Sequence, residues 1–155
     1  MAETPARLGN HPLHPMLVVF PLGLWVAALA FDIAHAATGN GLWHTIAFWN
    51  IVAGIVGALA AAIPGVIDFL ALDGRARNLA TYHMVLNFAA VVLFAINAYV
   101  RVRGAADSRW PLTLSLLGVV GVGVSGWLGG ELVYIERVGV EEAPSAKDEQ
   151  YRRVA

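Results

Sequence analysis

Four apolar runs, each near the length that crosses a bilayer, constrain this chain more than any other feature. About 20 apolar residues span the hydrocarbon core as a helix, and the runs cover about 15–36, 45–70, 79–100 and 112–135. Between them lie the short stretches ATGNGLWH, ALDGRARN and RVRGAADSRWP, each holding the Gly, Asn or Asp that turns use. Links this short force neighbouring helices to run antiparallel. No ten-residue segments alternate apolar with polar, so a β-barrel is excluded. The expected fold is all-α, an integral membrane up-down-up-down four-helix bundle. It occupies residues 1–140, with a solvated, disordered cytoplasmic tail over 141–155.

Composition closes off other classes. Charged residues make up 14% of the 155-residue chain, against about 25% in soluble domains. The net charge of −1 provides no basic field for a nucleic acid. The absence of cysteine removes disulfides, thiolate metal sites, iron–sulfur ligation and a Cys nucleophile. No serine has a His close to it in the sequence, so ordinary hydrolase chemistry is not expected. Two prolines and an Asp in the first run, with three runs after it, argue for a retained span rather than a cleaved leader.

An even number of spans places both termini on one side. That side carries Arg7, Arg75, Arg77, Arg137, Lys147, Arg152 and Arg153, against Arg101, Arg103 and Arg109 opposite. The positive-inside rule then makes the termini cytoplasmic.

Ionisable groups inside spans are costly, and they mark candidate sites. His14, Asp68, His83 and Glu131, one from each run, lie toward the terminal side at similar depth, with His11 nearby in HPLHP. A second layer of Asp32, Asn50 and Asn97 lies toward the far side, with Asn87 between the two. At about 100° per residue, His14 and Asp32 share a face, and so do Asn50 and Asp68. His83, Asn87, Asn97 and Arg101 form a single stripe on the third run. Lipid cannot satisfy such stripes, so they face inward. The second layer reads as helix-to-helix glue, each contact worth about 1 kcal/mol. In the fourth run, Gly118, Gly121, Ser125 and Gly129 recur every three to four residues. That spacing suits close helix packing or leaves room for a flat ligand.

The first layer supports several chemistries. His14 and His83 lie on diagonal helices and suit bis-imidazole ligation of a b-type haem. Because His14 precedes Pro15, it is expected as a surface cap at the helix start. Alternatively His11, His14, Asp68, His83 and Glu131 together suit a divalent transition metal such as Zn or Fe. A proton path and a purely structural locking layer are the remaining readings.

The segments GNHPLHPMLVVFPLGLW (9–25), PGVIDFL (64–70), HMVLN (83–87) and SGWLGGELVY (125–134) resemble the bacterial membrane family called domain of unknown function 2231. The likeness runs from about residue 9 to 140. It implies a four-span protein of the bacterial inner membrane with no settled activity. Some members carry a Rieske-type iron–sulfur domain after the spans, which the cysteine-free residues here do not match. That association implies electron transfer with a redox protein or quinone, and favours haem or a redox metal over structural zinc. The expected protein is therefore a small redox component in the lipid bilayer, with homo-oligomerisation left open.

Overall fold

The structure is a computed structural model and describes residues 4–104 and 109–140. Four helices carry the apolar runs: α1 Leu13–Thr38, α2 Gly41–Leu70, α3 Gly74–Val102 and α4 Trp110–Tyr134. Each is long and apolar enough to cross a membrane. They precede nothing but a turn at the described end, and the expected tail lies outside the described residues. Ahead of them two-residue strands, β1 Arg7–Leu8 and β2 His11–Pro12, form a small antiparallel hairpin that the sequence reading did not anticipate.

The helix ends follow local chemistry. Gly39, at φ 67°, ends α1 in the left-handed conformation that disfavours a side chain. Its neighbour Asn40 caps α2 by accepting from the Leu42 amide at 3.0 Å. All four helices start earlier than the apolar runs suggested, most of all α2 at Gly41 and α3 at Gly74. Hydropathy marks only the part inside hydrocarbon, whereas helix formers such as Arg75, Ala76 and Arg77 continue the helix beyond it. Pro21 and Pro64 sit inside α1 and α2, which remain continuous.

Helix α1 packs mainly along α2 and α3 along α4, while α1–α4 and α2–α3 contacts close the ring. Thus α1 and α3 are diagonal. In lipid no hydrophobic force draws helices together, so packing and polar contacts must hold them. Large side chains such as Phe20, Phe88 and Trp127 point outward, as a lipid-facing surface requires.

The two hairpins repeat one another. The buried positions of α1, Pro21, Trp25, Ala28 and Asp32, recur on α3 as Ala90, Phe94, Asn97 and Arg101, an offset of 69 (21 to 90, 32 to 101). Those of α2, Ala47, Ile51, Gly54, Ala61 and Asp68, recur on α4 as Pro111, Ser115, Gly118, Ser125 and Leu132, an offset of 64 (47 to 111, 68 to 132). At mid-bundle Trp25 stacks on its equivalent Phe94, ring centroids 4.2 Å apart. Each ring fills a glycine hollow on the partner helix of its own hairpin: a Cβ on Gly54 would lie 2.3 Å from Trp25, and one on Gly118 2.6 Å from Phe94. A residue that touches its own equivalent across a centre defines an approximate two-fold, here along the bundle. Parallel repeats of this kind recur among membrane proteins.

One end of the bundle is covered by the N-terminal hairpin. The Ala6 amide donates to Asp68 Oδ1 at 2.9 Å, and Thr4 and Ala6 are buried. Beneath it Leu72, Ala76, Ala80 and Leu132 form a small core.

Candidate functional site

His14 lies in the first turn of α1 and His83 in the third turn of α3, at equivalent positions of the two repeats (14 to 83, again 69). Their rings meet across the bundle with centroids 6.0 Å apart and planes at 85°. The His14 Nδ1–H donates to the Ala61 carbonyl of α2 at 2.8 Å. The His83 Nδ1–H donates to the Ser125 carbonyl of α4, also at 2.8 Å, with Ser125 Oγ 3.0 Å away. Ala61 and Ser125 are themselves equivalents. A carbonyl oxygen only accepts, so each Nδ1 carries a proton, and in the neutral ring Nε2 keeps its lone pair. Glycines again make the room: a Cβ on Gly65 would come 2.7 Å from His14, and one on Gly129 3.2 Å from His83.

The halves differ at two points, the first being the Ser125 hydroxyl 3.0 Å from His83 Nδ1, where Ala61 has none. At the second, the Asn87 amide donates to His83 Nε2 at 2.9 Å, whereas the equivalent position on α1 is Val18.

Several expectations change. His14 is no cap, because α1 starts at Leu13 with Pro12 before it. That start turns the imidazole toward Ala61 rather than toward water. His11 is exposed on β2, and Asp68 is engaged by the Ala6 amide. Among the described residues no three His, Asp or Glu side chains come close enough to share an ion. The five-residue set His11, His14, Asp68, His83 and Glu131 therefore does not assemble. Equal depth along the bundle is a weaker condition than a common centre, and β2 carries His11 away from it. The glycines of α4 divide by facing. Gly118 and Gly129 receive rings, while a Cβ on Gly121, Gly123 or Gly126 would meet nothing within 4 Å.

The second layer is a connected network. Arg101 Nη2 lies 2.7 and 2.6 Å from the two carboxylate oxygens of Asp32. Its Nε donates to Asn97 Oδ1 at 2.9 Å. The Asn97 amide donates to Ser115 Oγ and the Pro111 carbonyl, and Ser115 Oγ–H donates to Asp32 Oδ2 at 2.6 Å. Asn50 is outside this network and donates to Ile46 of its own helix. Its amide is satisfied locally, so the expected three-residue layer is Asp32 and Asn97 with Arg101 and Ser115.

The family model described as "Predicted membrane protein (DUF2231)" matches residues 10–142. The chain belongs to this family. No curated protein and no solved structure matches it. The DUF2231 match spans all four helices and both polar layers. Sequence reasoning on this DUF2231 chain found His14, His83 and Asn87 but missed Ser125, Gly65 and Gly129 as their partners, and Ser115 as the partner of Asp32 and Asn97. It counted Arg101 toward the charge balance across the membrane while also placing it on the helical face of His83, and the structure puts it inside the bundle. The offsets of 69 and 64 between equivalent residues would have exposed all of them, but few identities survive between the halves.

Proposed function

We propose that the chain is a small membrane electron-transfer protein whose His14 and His83 hold a b-type haem iron between α1 and α3. One observation carries this reading. Two imidazoles at symmetry-equivalent positions face each other, each anchored through Nδ1 to a main-chain carbonyl. Such anchoring fixes the tautomer and ring plane and leaves Nε2 as the donor, as in protein metal sites generally. Two imidazoles sharing one metal atom through bonds of about 2 Å have ring centres roughly 6 Å apart, and the present separation is 6.0 Å.

The residues around the pair fit this group. Ala61 and Ser125, whose carbonyls anchor the two rings, are small and buried, and among the described residues no third His or carboxylate joins the pair to favour a zinc-type shell. Bound there, haem would supply one-electron chemistry at a potential set by its axial ligands and its burial. Asn87 competes for His83 Nε2 and holds that ring until it is engaged. Electrons would pass to or from a redox protein or a quinone. With Arg101 inside the bundle, the flank opposite the termini keeps Arg103 and Arg109, which strengthens the assignment of cytoplasmic termini in a bacterial inner membrane.

The test is optical. The full chain, purified in detergent and titrated with haemin, is expected to develop a Soret band that His14→Ala and His83→Ala each abolish. Asn87→Ala should retain it. A wild-type chain that gains no Soret band overturns the reading.

A structural lock is the second reading, favoured because both imidazoles already fill glycine hollows and His83 is bonded through both nitrogens. It expects His14→Ala and His83→Ala to lower the thermal midpoint of a protein that carries no chromophore.

A further inference from the structure

At the far end of the bundle from the histidine pair, a cavity of about 200 Å³ opens between the start of α2 and the end of α3. His44, Thr45 and Phe48 line it from α2, and Arg101 and Val102 from α3. Arg101 is almost wholly buried, its side chain 1% exposed. Nη2 is committed to Asp32 and Nε to Asn97, but Nη1 is buried with no hydrogen-bond partner. A buried guanidinium donor left unmet is costly, so the site calls for an acceptor.

The charge of that acceptor follows from the network. Asp32 already neutralises Arg101, and an anion at Nη1 would place a second negative charge beside that carboxylate in a low-dielectric setting. An uncharged oxygen meets the donor without that repulsion. Phe48 and Val102 make much of the wall apolar, and the volume is below the ~300 Å³ of drug-sized sites. Thr45 and Val102 are exposed, so the opening is on the bundle surface. We propose that this cavity binds the uncharged, carbonyl-bearing ring of a lipid-soluble quinone, one carbonyl accepting from Arg101 Nη1 and the ring lying against Phe48. It names a partner site for the electron-transfer reading and rests on that reading only for the electron, since binding is independent of His14 and His83.

The experiment titrates the full chain in lipid nanodiscs with a short-chain ubiquinone and follows quenching of tryptophan fluorescence, Trp43 and Trp49 being on the same helix as the cavity. Thr45→Phe and Val102→Phe plug the opening from exposed positions and should leave the thermal midpoint unchanged. The proposal expects saturable binding that each plug weakens by about tenfold or more. It also expects His83→Ala to bind quinone as wild type does, so that loss of haem and loss of quinone are read separately. Absence of saturable binding, binding indifferent to both plugs, or displacement by inorganic phosphate or a fatty-acid carboxylate would each overturn it. The first means water alone meets Nη1, the second a different site, the third an anion site.

Discussion

Asp32 on α1 and Arg101 on α3 stand at equivalent positions of two helix hairpins and meet in a buried ion pair, Nη2 2.6 Å from Oδ2. The same two-fold relation pairs Trp25 with Phe94 and His14 with His83. Each level of the bundle is thus closed by a residue touching its own counterpart: like with like at one end, aromatic on aromatic in the middle, opposite charges at the other.

Removing one member of the ion pair leaves the other charged and unpaired inside the membrane. Arg101→Ala and Asp32→Ala are each expected to cost about 3–5 kcal/mol, read as loss of folded protein in detergent-titrated unfolding. The exchange Asp32→Arg with Arg101→Asp should recover part of that loss. Recovery is incomplete because Asn97 and Ser115, which flank the native pair, have Ala28 and Ile51 as their counterparts.

The glycines should separate cleanly by facing. Gly54→Ala and Gly118→Ala drive a methyl into Trp25 and Phe94, and overpacking of this kind costs about 1–3 kcal/mol. Gly123→Ala and Gly126→Ala meet open space and should be neutral or stabilise by roughly 0.5–1 kcal/mol, as helix-interior glycine replacements do. Thermal midpoints of the four variants check the division, and equal effects at all four would remove the hollow-filling account.

Gly65→Ala and Gly129→Ala probe the histidine seats and should not behave alike. The new methyl would stand 2.7 Å from a His14 ring atom but 3.2 Å from one of His83. Gly65→Ala therefore displaces its ring, while Gly129→Ala requires only a small shift. Imidazole ¹⁵N shifts should show His14 losing its Nδ1 hydrogen bond in the first variant, with His83 keeping its own in the second.

Asp68 holds the N-terminal hairpin to the bundle through the Ala6 amide. Asp68→Ala leaves that buried donor unmet, at about 1–3 kcal/mol. Hydrogen exchange should accelerate across Thr4–Pro12 while the helices keep their protection. Unchanged exchange there would assign the hairpin's docking to Thr4 and Ala6 packing alone.

How much of this was legible from residue order depends on the range of the interaction. Hydropathy determined the four spans, their antiparallel order and the membrane itself, because burying backbone in hydrocarbon admits little besides helices. Helical phase, a property of a single helix, correctly put His83, Asn87, Asn97 and Arg101 on one face. The Asp32–Arg101 pair spans 69 positions and three helices take part in its network, so no local pattern contains it.

Asn50 failed as a layer member for the converse reason, its amide being satisfied four residues back on its own helix. His11 and Asp68 sat at the right depth, yet β2 turned one outward and the Ala6 amide occupied the other. By itself the sequence determined which segments cross the membrane and which polar residues they carry inside. Only the tertiary structure decided which of those residues meet, because meeting across a bundle is set by the two-fold packing of hairpins and by glycine hollows that admit a ring on one helix only where its neighbour has no side chain.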